Sequence, residues 1–115
     1  CVASNDFYAK QPELMRKVVR AWVAGNDYLV SKPDEALAVI HSKQYPDVPL
    51  DSLKAMYKAS KVFPSKEWVK LYKDGTVDKW LNQVSNFYVE IDAIQKPLAA
   101  EKYFDSKLLP GLVGG

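Results

Sequence analysis

Seven apolar residues, Val77, Trp80, Leu81, Val84, Phe87, Tyr88 and Ile91, follow one another at steps of 3, 1, 3, 3, 1 and 3. That spacing draws one continuous stripe along a helix and predicts an α-helix over 77–91. Asp78, Lys79, Asn82, Gln83 and Asn86 take its other face. A looser repeat of Met15, Val18, Val19, Trp22, Tyr28 and Leu29 predicts a helix over 12–31. Pro12 opens it, because a first-turn proline loses no hydrogen bond, and Glu13 suits the positive end of the dipole. Gly25-Asn26 is a weak spot in its middle, read as a place where a neighbouring helix comes close.

Pro33-Asp34-Glu35 repeats the same start signal, and Ala36, Leu37, Val39 and Ile40 carry a second helix to His41. Pro46 and Pro49 bracket a loop, after which Leu50, Leu53, Met56 and Tyr57 mark a third helix. Ser65 reads as the N-cap of a short helix through Trp68, Leu71 and Tyr72. Gly75 supplies a left-handed step after it, and Thr76 is expected to cap the long helix. Pro97 predicts a last short helix containing Ala99, Ala100 and Tyr103, with Leu108, Leu109 and Leu112 in a tail packed on the core. Val2-Ala3-Ser4 reads as the end of a short strand. The fold class is therefore mainly α, an irregular array of five or six short helices with at most a short N-terminal strand. A single helical domain is expected over 1–113, with Gly114-Gly115 an appended remnant.

Composition narrows the functions. Sixteen basic and fourteen acidic residues are mixed along the chain for a net charge of +2, too small a field to gather nucleic acid. Only Arg16 and Arg20 are arginines, and with Glu13 they read as a solvated helix face. The fourteen aromatics, mostly on the apolar stripes, read as core.

One cysteine, Cys1, and one histidine, His41, cannot close a zinc site or an internal disulfide. No phosphate loop, nucleophile elbow or His-Glu-x-x-His is present, so no catalytic residue, metal or cofactor is expected, and the chain reads as a non-enzyme. Asp34 and Glu35 are neighbours in a helix and do not face each other, so they read as complements to the dipole. His41 likewise suits a helix C-terminus. Cys1 reads either as a buried strand residue or as the lipid-bearing first residue of a lipoprotein.

Several phrases occur in a telling order. Val2-Ala3-Ser4-Asn5-Asp6-Phe7 is followed by Gln11-Pro12-Glu13-Leu14, Arg20-Ala21-Trp22 and Lys32-Pro33-Asp34-Glu35-Ala36. Asp74-Gly75-Thr76-Val77, Ile91-Asp92-Ala93-Ile94 and Tyr103-Phe104-Asp105 complete the series. The set resembles the C-terminal part of substrate-binding proteins of the nitrate, sulfonate, taurine and thiamine-precursor importers, the type II periplasmic binding fold. The chain departs at Asp92, where that family often has glycine. The resemblance implies a piece of a two-lobed α/β protein that closes on a small solute and delivers it to the membrane permease of a bacterial ABC importer. It implies a periplasmic or extracellular location, either free or membrane-anchored. It places Ser4 and Asn5 near the ligand cleft. It implies an open apolar patch where the absent sheet would sit, with self-association through the exposed residues.

Two other readings stand beside it. One is a small stand-alone helical interaction module or surface lipoprotein anchored through Cys1. The other is a sensor domain fused to a signalling protein.

Overall fold

The computed structural model describes residues 2–113, and the expectations placed on Cys1 and on Gly114-Gly115 lie outside them. The described residues form seven α-helices and a 3-10 turn, with no strand among them, so the fold is mainly α. They divide into two compact units, one ending at Ser65 and one beginning at Lys66.

In the first unit, α1 (Asn5–Lys10) packs on α2 (Pro12–Ser31), α2 on α3 (Pro33–Gln44), and α3 on α4 (Leu50–Ala59). Two proline steps build this order. Gln11 and Lys32, each followed by proline, sit at φ −129° and −137°, outside the helical region. A residue before proline is pushed out of that region by the proline ring. The N–H of Gln11 still reaches the carbonyl of Phe7 at 2.9 Å, and that of Lys32 the carbonyl of Tyr28 at 2.8 Å. Each proline thus ends one helix and begins another in a single residue. Met15, Ala36 and Leu37 are the buried apolar residues here.

Polar contacts fix the corners. The Tyr28 hydroxyl donates to Glu35 at 2.8 Å, and Lys32 Nζ lies 3.3 Å from the same carboxylate. Lys54 on α4 meets Asp34 on α3 at 2.8 Å, and this pairing holds the Asp34 carboxyl below the usual carboxylate range. At the end of the unit, Asn26 Nδ2 donates to the Phe63 carbonyl at 2.9 Å. Beside it Asp27 accepts from both the backbone N–H and the hydroxyl of Ser65.

The second unit holds α5 from Lys66 onward (the helix spans Ser65–Lys73), then α6 (Thr76–Glu90), the 3-10 turn Ala100–Lys102 and α7 (Leu108–Val113). Between α5 and α6, Gly75 takes φ +78°, a conformation glycine adopts at no steric cost. At the far end of α6 the chain closes in a Schellman motif. The Asp92 N–H reaches the Val89 carbonyl at 3.0 Å, and the Ala93 N–H reaches that of Tyr88 at 2.9 Å. Asp92 carries the left-handed φ of +55° that this motif needs.

The following segment runs back along α6. Ser85 Oγ accepts from the Leu98 N–H at 2.7 Å, and Asn82 Oδ1 from the Ala100 N–H at 2.9 Å. These two bonds seat Ala100, only 2% exposed, against the helix. Tyr72 of α5 stands edge-on to Trp68 and 5.1 Å from the Phe104 ring. Burial, with Asp105 nearby, pushes the Tyr72 hydroxyl above its usual pKa.

The structure corrects several local expectations. The opening residues form no strand: Ser4 caps α1, a helix the apolar pattern had missed. Its apolar residues are too few to show a period. Pro97 begins no α-helix, because side chains of α6 take up the Leu98 and Ala100 N–H groups, and a single 3-10 turn results. Thr76 does not cap α6. Instead its N–H donates to Asp74 Oδ1 at 2.9 Å, and the Thr76 side chain together with this N–H holds the Asp74 carboxyl low. Gly25 has nothing within 4 Å of where a Cβ would lie, so no close helix approach requires it.

Candidate functional site

Ser4 and Asn5 stand together at the start of α1, both exposed. Ser4 has the extended φ and ψ of an N-cap, and its Oγ accepts from the Phe7 N–H at 3.2 Å. The hydroxyl proton remains available to donate outward. The Asn5 side chain adds one amide acceptor and two donors at the same corner. The adjacent acids Asp34 and Glu35 turn to different partners, Lys54 and the Tyr28–Lys32 pair. His41 is half-buried in the last turns of α3. Among the described residues no group of three or more His, Cys, Asp or Glu is arranged to hold a metal. None of the described helices is long and apolar enough to cross a membrane.

The largest departure from the sequence reading lies in the aromatics. Read as core, several are open to solvent: Trp22 is 64% exposed and Phe87 53%, and Trp80 and Tyr88 are also exposed. On α2, Leu14, Val18 and Trp22 are open, four apart and therefore on one side of the helix, and Tyr28 is open near its end. On α6 they are Trp80, Val84, Phe87 and Tyr88, with Ile91 just past its end. An apolar groove of about 340 Å³ continues this face, running from Leu81, Val84 and Tyr88 to Ile94, Leu98 and Tyr103.

Among the described residues the buried apolar ones are few and mostly small: Met15, Ala36, Leu37, Val69, Val77 and Ala100. The accessible surface is 8778 Å² for a 13.0 kDa chain. A compact monomer of that mass exposes about 6,300 Å², and two separate compact globules of half the mass about 7,700 Å². Large contiguous apolar faces of this kind mark surfaces that a partner covers.

One signal in the sequence could have flagged the α6 face. The ten residues 80–89 carry no charge, in a chain that is 26% charged. A surface helix meant for water normally interleaves charges.

No protein-family model matches the chain, and no solved structure does. Similar sequences exist among curated proteins. A Brucella abortus (strain 2308) protein named "Putative binding protein" is 24% identical over 103 residues. Proteins of the same description in Brucella suis biovar 1 and Brucella melitensis biotype 1 give the same 24% identity. The likeness takes in 90% of this chain but only 32% of each relative, so the chain spans about a third of the length of the curated relatives it matches.

Proposed function

We propose that this chain is the helical C-terminal part of an extracytoplasmic solute-binding protein, the receptor that captures a small molecule for an ABC importer. One observation carries the reading. Each unit carries a half-exposed apolar face, on α2 and on α6, and the binding proteins it resembles are about three times as long as the segment they share with it. A helical layer of this kind backs one lobe of a two-lobed receptor, and the sheet it covers would come from the rest of the protein.

Function then rests on closure of two lobes about a solute, with the membrane permease as the second partner. Ser4 and Asn5, donor-bearing and exposed, are the residues of this chain assigned to the cleft edge. The protein works outside the cytoplasmic membrane and performs no chemistry on what it carries. Its solute falls among the small anions, sulfonates and pyrimidine-like molecules that the resembling family takes.

The test is calorimetric titration of the complete gene product with nitrate, taurine, alkyl sulfonates and pyrimidines. A saturable 1:1 heat with one of them, weakened roughly three- to tenfold by Asn5→Ala through one lost hydrogen bond, supports the reading. Absence of binding to any of these solutes, with the protein folded, contradicts it.

A further inference from the structure

The overall charge balance hides one local excess. Residues 58–73 hold Lys58, Lys61, Lys66, Lys70 and Lys73 against Glu67 alone, a net +4 in a chain whose total is +2. Lys66, Lys70 and Lys73 lie on α5 at spacings of 4 and 3, which puts them within about 60° of one another around the helix axis. With Glu67 they make up all of α5 that is exposed, its other residues being buried or half-buried. Lys10, Arg16, Lys32 and Lys54 each pair with an acid, whereas none of these three lysines makes an ion pair with a described residue. We infer that the lysine face of α5 is an adsorption surface for anionic phospholipid headgroups, holding the protein on a negatively charged membrane without inserting into it.

The chemistry of the face selects that occupant. Unpaired lysines stay in water, so this face remains open whatever covers the apolar faces of α2 and α6. A protein partner would want aromatic or aliphatic anchors, and the cores of such contacts are depleted of lysine. No apolar residue interrupts the exposed face of α5. Nucleic acid would draw on arginine and on rings that stack with bases, and α5 exposes neither. Lysine is a compact, hydrated charge on a flexible stem, suited to a mobile layer of phosphates that has no fixed geometry.

The magnitude is adequate for reversible binding. The three lysines span about 10 Å of helix, close to one screening length at 0.1 M salt, so they act on the surface together. Each lysine beside an anionic membrane is worth about fivefold in partitioning, and three about a hundredfold. With no exposed apolar side chain on α5 there is nothing to bury in the acyl layer, so the attraction is electrostatic and salt-sensitive. The inference stands on this face alone and does not rest on the receptor reading.

The experiment is co-sedimentation of the 115-residue chain with vesicles of phosphatidylglycerol mixed equally with phosphatidylcholine, and with vesicles of phosphatidylcholine alone. Binding to the mixed vesicles alone is expected at about 50 mM salt, with release at about 500 mM. Lys70→Glu is expected to weaken it at least tenfold with the helical circular dichroism unchanged. Lys43→Glu, an equal change of net charge at an exposed position of α3, is expected to shift it less than about twofold. No binding to the mixed vesicles overturns the inference. So does binding that survives high salt or extends to phosphatidylcholine alone, which belongs to the apolar faces. Equal weakening by the two variants also overturns it, as does tighter binding to a single-stranded oligonucleotide than to the vesicles. None of these outcomes bears on solute binding by the complete gene product, so the two readings fall separately.

Discussion

Asp27 on α2 holds Ser65, 38 residues further on, through two hydrogen bonds, one from the backbone nitrogen at 2.7 Å and one from the hydroxyl. A carboxylate thus serves the first residue of α5 from another helix, where a side-chain cap normally comes from the residue just before. Together with Asn26 bonding to the Phe63 carbonyl, it anchors the segment that leaves α4. Ser65 is buried, so its polar groups have no water to turn to if Asp27 is lost. Asp27→Ala is expected to cost about 1.5–3 kcal/mol, the range for hydrogen bonds to a charged acceptor. Ser65→Ala, which keeps the backbone bond, should cost less. Urea unfolding curves of the two variants check the order.

Asp92 pays for its place in the Schellman motif by standing at φ +55°. Glycine takes that conformation freely, whereas an ordinary side chain is strained there by roughly 1 kcal/mol. Asp92→Gly is expected to raise the unfolding free energy by about 0.5–1 kcal/mol, and Asp92→Val to lower it. Thermal unfolding of the three proteins tests this.

Ser85 and Asn82 seat residues 98–100 on α6 by accepting their N–H groups. Each replacement by alanine leaves a part-buried N–H without its acceptor, at a cost of about 1–3 kcal/mol. The sharper readout is local. In Ser85→Ala the Leu98 amide is expected to exchange faster with solvent, and in Asn82→Ala the Ala100 amide, while amides inside α6 stay protected.

Acid should weaken the fold through two named carboxyls. Lys54 beside Asp34, and the Thr76 side chain and N–H beside Asp74, hold both acids below their usual value of 3.8. A carboxyl depressed in the folded state gives its stabilisation in full above the unfolded value, and loses it as pH falls through the lower, folded one. The melting temperature is therefore expected to hold on the neutral side and to fall below pH 3.8. Lys54→Met should flatten the part due to Asp34. Both groups are exposed, so the effect shrinks with added salt.

Local signals in this chain were legible wherever one or two residues decide the outcome. Pro12 and Pro33 mark the true first residues of α2 and α3, and Gly75 sits in the left-handed region as its place in the chain requires. Asp92 stands in the left-handed region at the place where the resembling proteins often have glycine. What failed was anything decided at a distance. The acceptors of the Leu98 and Ala100 N–H groups lie 13 and 18 residues away, and nothing near Pro97 announces them. The α6 stripe was read correctly as a helix face and wrongly as core, because periodicity shows which residues share a face and not whether anything covers it. The assignment of Ser4 and Asn5 to a cleft rests on resemblance alone, since in the structure they form an ordinary helix start.

The most direct test of the central claim is the coding sequence upstream of the Cys1 codon. A reading frame that continues into a βα-rich lobe behind a secretory signal is the predicted result, and it would supply a layer for the apolar faces of α2 and α6. A signal peptide ending immediately before Cys1 would contradict the receptor reading and favour a compact surface lipoprotein.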